Sequence, residues 1–256
     1  NKMKETLNHK IMTMKTTTLF SALILLAGIF SSCTKDDHEV TPSGSVTTVT
    51  KSVYEFDKLE VSDAFAVYVT FSGVEAPVMI EANSNLQPYI IVENRGDRLY
   101  IGLDDRISIN KGNAVLNVYV TARWLDAITA GGAVYIELMN PLVGDAVDIH
   151  LDGASVLRGT LHAGEIDAEL HGASVMQVYG SSGDFHIDAS GASHMAGFGF
   201  VTEDLKAHLD GASNIQLTVE DELKVSASGA SSVIYRGNGV VVSQELSGAS
   251  SIVQVN

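Results

Sequence analysis

Four residues are spaced as if to do chemistry together: His150, Asp152, Glu169 and His171. Residues two apart share a face of an extended strand. His150 with Asp152, and Glu169 with His171, therefore each place an imidazole beside a carboxylate. Strands paired in one sheet lie about 4.8 Å apart, so pairing these two segments would bring together imidazole and carboxylate donors of the kind a transition metal takes. The frame extends beyond them. His150, Glu169, Asp188 and His208 fall in one row, and Asp152, His171, Ser190 and Asp210 in a second. A solvated β face shows the same spacing, so we take both rows as outward contact surfaces and expect no metal, no cofactor and no catalytic residue.

The chain has no G-x-S-x-G, H-E-x-x-H, phosphate-loop or EF-hand motif. Cys33 is the only cysteine, which excludes a disulfide framework and a cysteine-based metal site. A formal charge of −15 argues against nucleic acid as a partner, since phosphate binding needs basic surface.

A repeat must position the rows. Gly-Ala recurs at Gly132, Gly153, Gly172, Gly191, Gly211, Gly229 and Gly248, at spacings of 18 to 21 residues. From the second onward the motif is Gly-Ala-Ser. Two, four and six residues before each Gly the chain is mostly apolar, as in Leu151, Ile149 and Val147, or Leu209, Ala207 and Leu205. In the last repeat the same columns fall on Leu246, Gln244 and Val242. The positions between are polar, and the fourth residue after each Gly-Ala-Ser glycine is always apolar. Alternation with period two marks half-buried strands, and a fixed period near twenty marks a solenoid. We therefore expect an all-β chain forming a parallel β-helix of about 19 residues per coil. Gly supplies the bent backbone of a tight corner; Ala is expected inside that corner, with Ser stacking in a column of partly exposed hydroxyls.

Residues 129–256 carry the regular coils. Residues 51–128 alternate equally well, in "FAVYVTF", "VMIEA", "YIIVEN", "DRLYIGL" and "AVLNVYV", but at irregular intervals. They are either distorted first coils or a β cap over the solenoid's end, which otherwise offers unpaired strand edges. We treat 51–256 as one β-solenoid head domain in two halves.

The first residues belong to targeting. Residues 1–13 read as a misassigned upstream start and 14–32 as a signal peptide, whose apolar core at 19–30 is too short to span a bilayer comfortably. "FSSC" resembles the lipobox of bacterial lipoproteins, which implies a lipid on Cys33 and a membrane partner through that anchor. From Cys33 onward the chain has 12 basic and 30 acidic residues, a formal −18. Lys35, Asp36 and Asp37 resemble the export signal that sends Bacteroidetes lipoproteins to the outer face of the outer membrane. Residues 33–50 read as a flexible tether.

In order, "FDKLEVSDAFAVYVTF", "VTARWLDAITAGGAVYIEL" and the recurring "GAS" coils resemble the Bacteroidetes family of auto-transporter adhesins with a head GIN domain, over about residues 54–256. The resemblance implies an exported β-solenoid and supplies no catalytic residues. Expected function is thus adhesion or binding at the cell envelope, with a glycan or protein ligand. Two alternatives stay open, a polysaccharide-active β-helix enzyme and a purely structural envelope protein. Short second turns such as "GSSGD" leave little chain to build an enzyme's groove. Tyr179, Phe198, Phe200 and Tyr235 are expected on one side of the second strand.

Overall fold

Each Gly-Ala-Ser sits where two strands meet at a corner, and strands of successive coils pair in parallel with matched register. In the computed structural model, which describes residues 38–110 and 112–256, the chain is a β-solenoid of about seven turns at about 19 residues per coil. Leu142–Leu151 pairs with the end of Val156–Leu170, which pairs with Val175–Ala189, then Phe200–Leu209, Glu222–Ala227 and Val240–Leu246. The expected inward columns are inside: Val147, Ile149 and Leu151 are buried, as are Leu205, Ala207 and Leu209. Residues 1–37 lie outside the described residues, so Cys33, Lys35, Asp36 and Asp37 have no structural account.

The corners explain the glycines. Gly153, Gly172, Gly191, Gly211, Gly229 and Gly248 have φ between 69° and 78°, and Gly132 has φ 107°. That conformation is costly for a residue with a Cβ. Stacking adds a second reason. Each corner glycine's carbonyl accepts the N–H of the next coil's alanine, at 2.6–2.7 Å from Gly132 to Gly229. A Cβ on Gly153 would lie 2.4 Å from the Gly132 carbonyl oxygen, and one on Gly211 2.5 Å from that of Gly191. Coils can close to this distance only if the corner has no side chain.

The positions of Ala and Ser are opposite to expectation. Ala154, Ala173, Ala192, Ala212 and Ala230 are exposed, whereas Ser155, Ser174, Ser193, Ser213 and Ser231 are buried. The left-handed glycine resets the alternation, so the second residue after it faces inward. What awaits it there is the backbone carbonyl three residues back. Ser155 Oγ donates to Asp152 O at 2.8 Å, Ser174 to His171 O at 2.7 Å, and Ser213 to Asp210 O at 3.0 Å. The hydroxyl is a buried cap on the corner.

The irregular half contains both coils and a cap, and its coils stack out of sequence order. Lys58–Val61 and Ala66–Phe71 form a coil lying between two others. On one side are Ala127–Ala130 and Tyr135–Leu138, on the other Arg98–Leu103 and Leu116–Ala122, all parallel. Antiparallel strands then cover the end: Ile90–Arg95 pairs with Arg98–Leu103, and Val46–Lys51 with Ala76–Asn83, which pairs with Leu116–Ala122. All of Val46–Lys51 but its last residue falls in the stretch 33–50 expected as tether, and it is a strand here. Asp63 holds the corner position of the inserted coil, with φ 70°. Ala133 N donates to its carbonyl at 2.6 Å, continuing the glycine ladder, and its Oδ2 accepts from Leu103 N at 2.8 Å. We expect Asp63→Ala to destabilise by about 2 kcal/mol, from the lost charged acceptor and because alanine has no polar side chain to offset the left-handed backbone that aspartate already holds. Asp63→Gly should cost about 1 kcal/mol less, because it relieves the strain but not the lost bond. Urea denaturation of the two variants checks the order.

At the far end the columns also depart from expectation. The ladder shifts register between Leu223 and Lys224, so Val241 rather than Val242 pairs with Leu223. Val242 and Leu246 are exposed, as Val240–Leu246 is an edge strand of the described residues. Among the described residues no helix is long and apolar enough to cross a membrane.

Candidate functional site

The strand that leads into each corner buries alternate residues, so its other residues form one outward face in rows that cross the coils. Both expected rows lie there. His150 pairs with Glu169, Glu169 with Asp188 and Asp188 with His208. Asp152, His171, Ser190 and Asp210 align beside them, each amide donating to the preceding coil, as His171 N does to Leu151 O. A third row was legible five residues before each glycine and was missed. It runs Asp148, Asp167, His186, Lys206, Lys224. Its sign changes along the solenoid from acid to base.

Neighbouring coils tie these rows together. His150 Nδ1 lies 2.9 Å from Glu169 Oε2, and the His150 and His171 rings meet edge to face at 5.5 Å. His171 Nδ1 is 2.8 Å from Ser190 Oγ. His186 Nδ1 is 3.0 Å from Asp167 Oδ1 and 3.9 Å from Glu165 Oε1. Asp210 accepts hydrogen bonds from the Ser228 hydroxyl and from Gly211 N–H, which hold its carboxyl below the usual range.

Of the four residues that could converge, three do. His150, Glu169 and His171 offer ligand atoms all within 4.8 Å of one another. Asp152 does not join them, since its Oδ1 accepts from its own corner, Gly153 N at 2.6 Å. A second group of this kind, Glu165, Asp167 and His186, lies on the same face. Farther along, a shallow concavity of about 400 Å³ has Asp188, Lys206, His208, Lys224 and Ser226 in its lining, together with Asp167 and His186.

Tyr179, Phe198, Phe200 and Tyr235 do not share one exposed side. Phe200 and Tyr235 are buried, Phe198 is half-buried with Arg236 over its ring, and Tyr179 is 64% exposed. Phe200 instead packs in the core against Phe185. An aromatic ladder forms instead in the irregular half. Tyr68 stacks on Tyr119 at 5.2 Å and meets Tyr135 edge-on at 6.5 Å. Tyr68 lies between the other two only because its coil is inserted out of order. The two outer hydroxyls donate to carboxylates, Tyr135 to Glu137 and Tyr119 to Glu81. Burial first, then the Glu81 charge, raises the Tyr119 pKa. Cross-strand stacking of this kind stabilises a sheet.

Solved structures share this architecture. A putative adhesin from Bacteroides fragilis NCTC 9343 superimposes with TM-score 0.75 at 19% identity, over 84% of this chain and 100% of that one. A putative adhesin from Parabacteroides merdae ATCC 43184 gives 0.70 at 17%, over 85% and 99%. A third, described as a putative lipid binding protein from Parabacteroides distasonis ATCC 8503, gives 0.71 at 14%, over 86% and 100%. At these identities the likeness concerns the fold. No curated protein matches. Residues 55–239 match a family model, a span that holds the inserted coil and the Gly-Ala-Ser corners from Gly153 to Gly229, and the chain therefore belongs to the family described as "putative auto-transporter adhesin, head GIN domain".

Proposed function

We propose that this protein is a non-enzymatic adhesin of the cell envelope that binds its partner through the outward face of the corner-leading strands. One observation carries the reading: that face sets imidazole, carboxylate, amine and hydroxyl groups in register across successive coils, and dips into the concavity lined by Asp188, Lys206 and His208. A partner with repeating polar groups, such as a glycan or an extended protein segment, would meet several coils at once. Family membership supports an adhesive role and an envelope location. The chain's acidity and the mixed charge of the concavity support a polar ligand over nucleic acid.

The deciding experiment is an array of glycans and extracellular-matrix proteins probed with the lipid-free protein. Selective binding that is lost on changing the face supports the adhesin. Turnover of any glycan replaces it with the enzyme reading, and absence of any selective ligand leaves the structural envelope role in its place.

Attachment to the membrane is proposed to run through lipid on Cys33. Cys33→Ser should move the protein from the membrane fraction to the soluble fraction, and unchanged membrane association would reject the anchor. Surface display through Lys35, Asp36 and Asp37 is tested separately. External protease should digest the protein on intact cells, and less so once the three are alanine.

A further inference from the structure

We propose that His150, Glu169 and His171 form a binding site for a divalent transition metal of the zinc class, joining two neighbouring coils. The inference goes beyond the adhesive reading and does not depend on it. Three features of the fold build the site. First, the parallel register places His150 directly opposite Glu169, and His171 two residues on along the same strand face. His150 and Glu169 are thus fixed by strand pairing, and His171, one residue past its strand at the entry to the corner, by its amide bond of 2.8 Å to Leu151 O. Second, their donor atoms are already within 4.8 Å of one another, and His150 Nδ1 and Glu169 Oε2 stand only 2.9 Å apart. Ligands of one tetrahedral zinc ion bind at about 2.0–2.2 Å from the metal, so rotations about the side-chain bonds suffice to close the set. Third, the ring of His171 has an oriented outer nitrogen. Its Nδ1 lies 2.8 Å from Ser190 Oγ, on the coil beyond. In the tautomer where Nδ1–H donates to that oxygen, Nε2 is the nitrogen offered to a metal, with the outer partner that metal-bound imidazoles carry.

The donor chemistry selects the metal. Two imidazoles and one carboxylate suit zinc and its neighbours in the first transition row, whereas calcium and magnesium take sets made of oxygen. The nearby group of Glu165, Asp167 and His186 has one imidazole and two carboxylates and is less suited to zinc. Three protein ligands leave a fourth position on the ion open to solvent. Because His150 and Glu169 come from different coils, the ion would also cross-link them.

Isothermal titration of the protein with zinc chloride tests the site. One saturable equivalent per chain is expected, together with a rise in melting temperature. His150→Ala and His171→Ala should each weaken binding by more than about tenfold, and Ser190→Ala by about tenfold through the orientation of His171. Melting temperatures without metal should stay close to that of the parent, since the three ligands are on the outward face. His186→Ala should leave the affinity unchanged. Cobalt in place of zinc should show the intense visible bands of a tetrahedral centre, and these should disappear in His171→Ala. The absence of saturable binding overturns the proposal. So does binding that persists in both His150→Ala and His171→Ala, or that is lost in His186→Ala alone, which would move the ion to the acidic group.

Discussion

Gly211→Val should be the most damaging single substitution in the regular coils, lowering stability by more than about 4 kcal/mol. Two independent costs meet at that residue. Its φ of 76° is a left-handed conformation that a β-branched side chain hardly tolerates. Its new Cβ would also lie 2.5 Å from the Gly191 carbonyl oxygen, a backbone atom that cannot move aside. Relief would require the coils to part at the corner, and that breaks the Ala212 N to Gly191 O bond of 2.7 Å. Leu209→Asp should come close behind, because Leu209 is fully buried and an aspartate there leaves a cavity and an unpaired charge between coils. Ser213→Ala is the mildest of the three, at about 1–2 kcal/mol. Ser213 is only 1% exposed, and its loss leaves the Asp210 carbonyl without its hydroxyl donor. Denaturant unfolding of the three variants checks the ranking. A serine variant worse than the other two would mean that hydroxyl caps, and not apolar columns and bare corners, hold the coils together.

That ranking also marks where sequence was informative. Period-two alternation and the recurring glycine specify coil length, the inward columns and the outward rows, because all three depend on local spacing alone. The third row, from Asp148 to Lys224, obeys the same spacing and was open to the same method. The direction of Ala and Ser was not, because it depends on how a left-handed residue resets the alternation at Gly153 and its equivalents. Nor could spacing show that Lys58–Phe71 inserts between Arg98–Ala122 and Ala127–Leu138. Order in a stack is a long-range property, set by which edges find each other. The Tyr119, Tyr68 and Tyr135 ladder was hidden for that reason. At the candidate site, the frame placed His150, Glu169 and His171 together, but the turn of Asp152 into its own corner is a side-chain choice that spacing does not reach.

Binding by the outward face should fail by accumulation, not at one residue. Asp188, His208 and Ser226 stand opposite one another on three successive coils and line the same concavity. None is buried, so each contact competes with water and contributes modestly. Changing any one to alanine should weaken binding to the array-identified ligand roughly threefold, and changing all three should weaken it about thirtyfold or more, since free energies add and affinities multiply. On a surface carrying many copies the loss should be larger, because multivalent attachment amplifies each weakening of the single contact. Soluble affinities and cell-attachment assays of the three single variants and the triple variant read out both effects. Their melting temperatures should match the parent, because all three side chains point away from the inward columns. If Asp188→Ala alone abolished binding while His208→Ala and Ser226→Ala were silent, recognition would belong to one localised centre, and the repeating face would be only the scaffold that carries it.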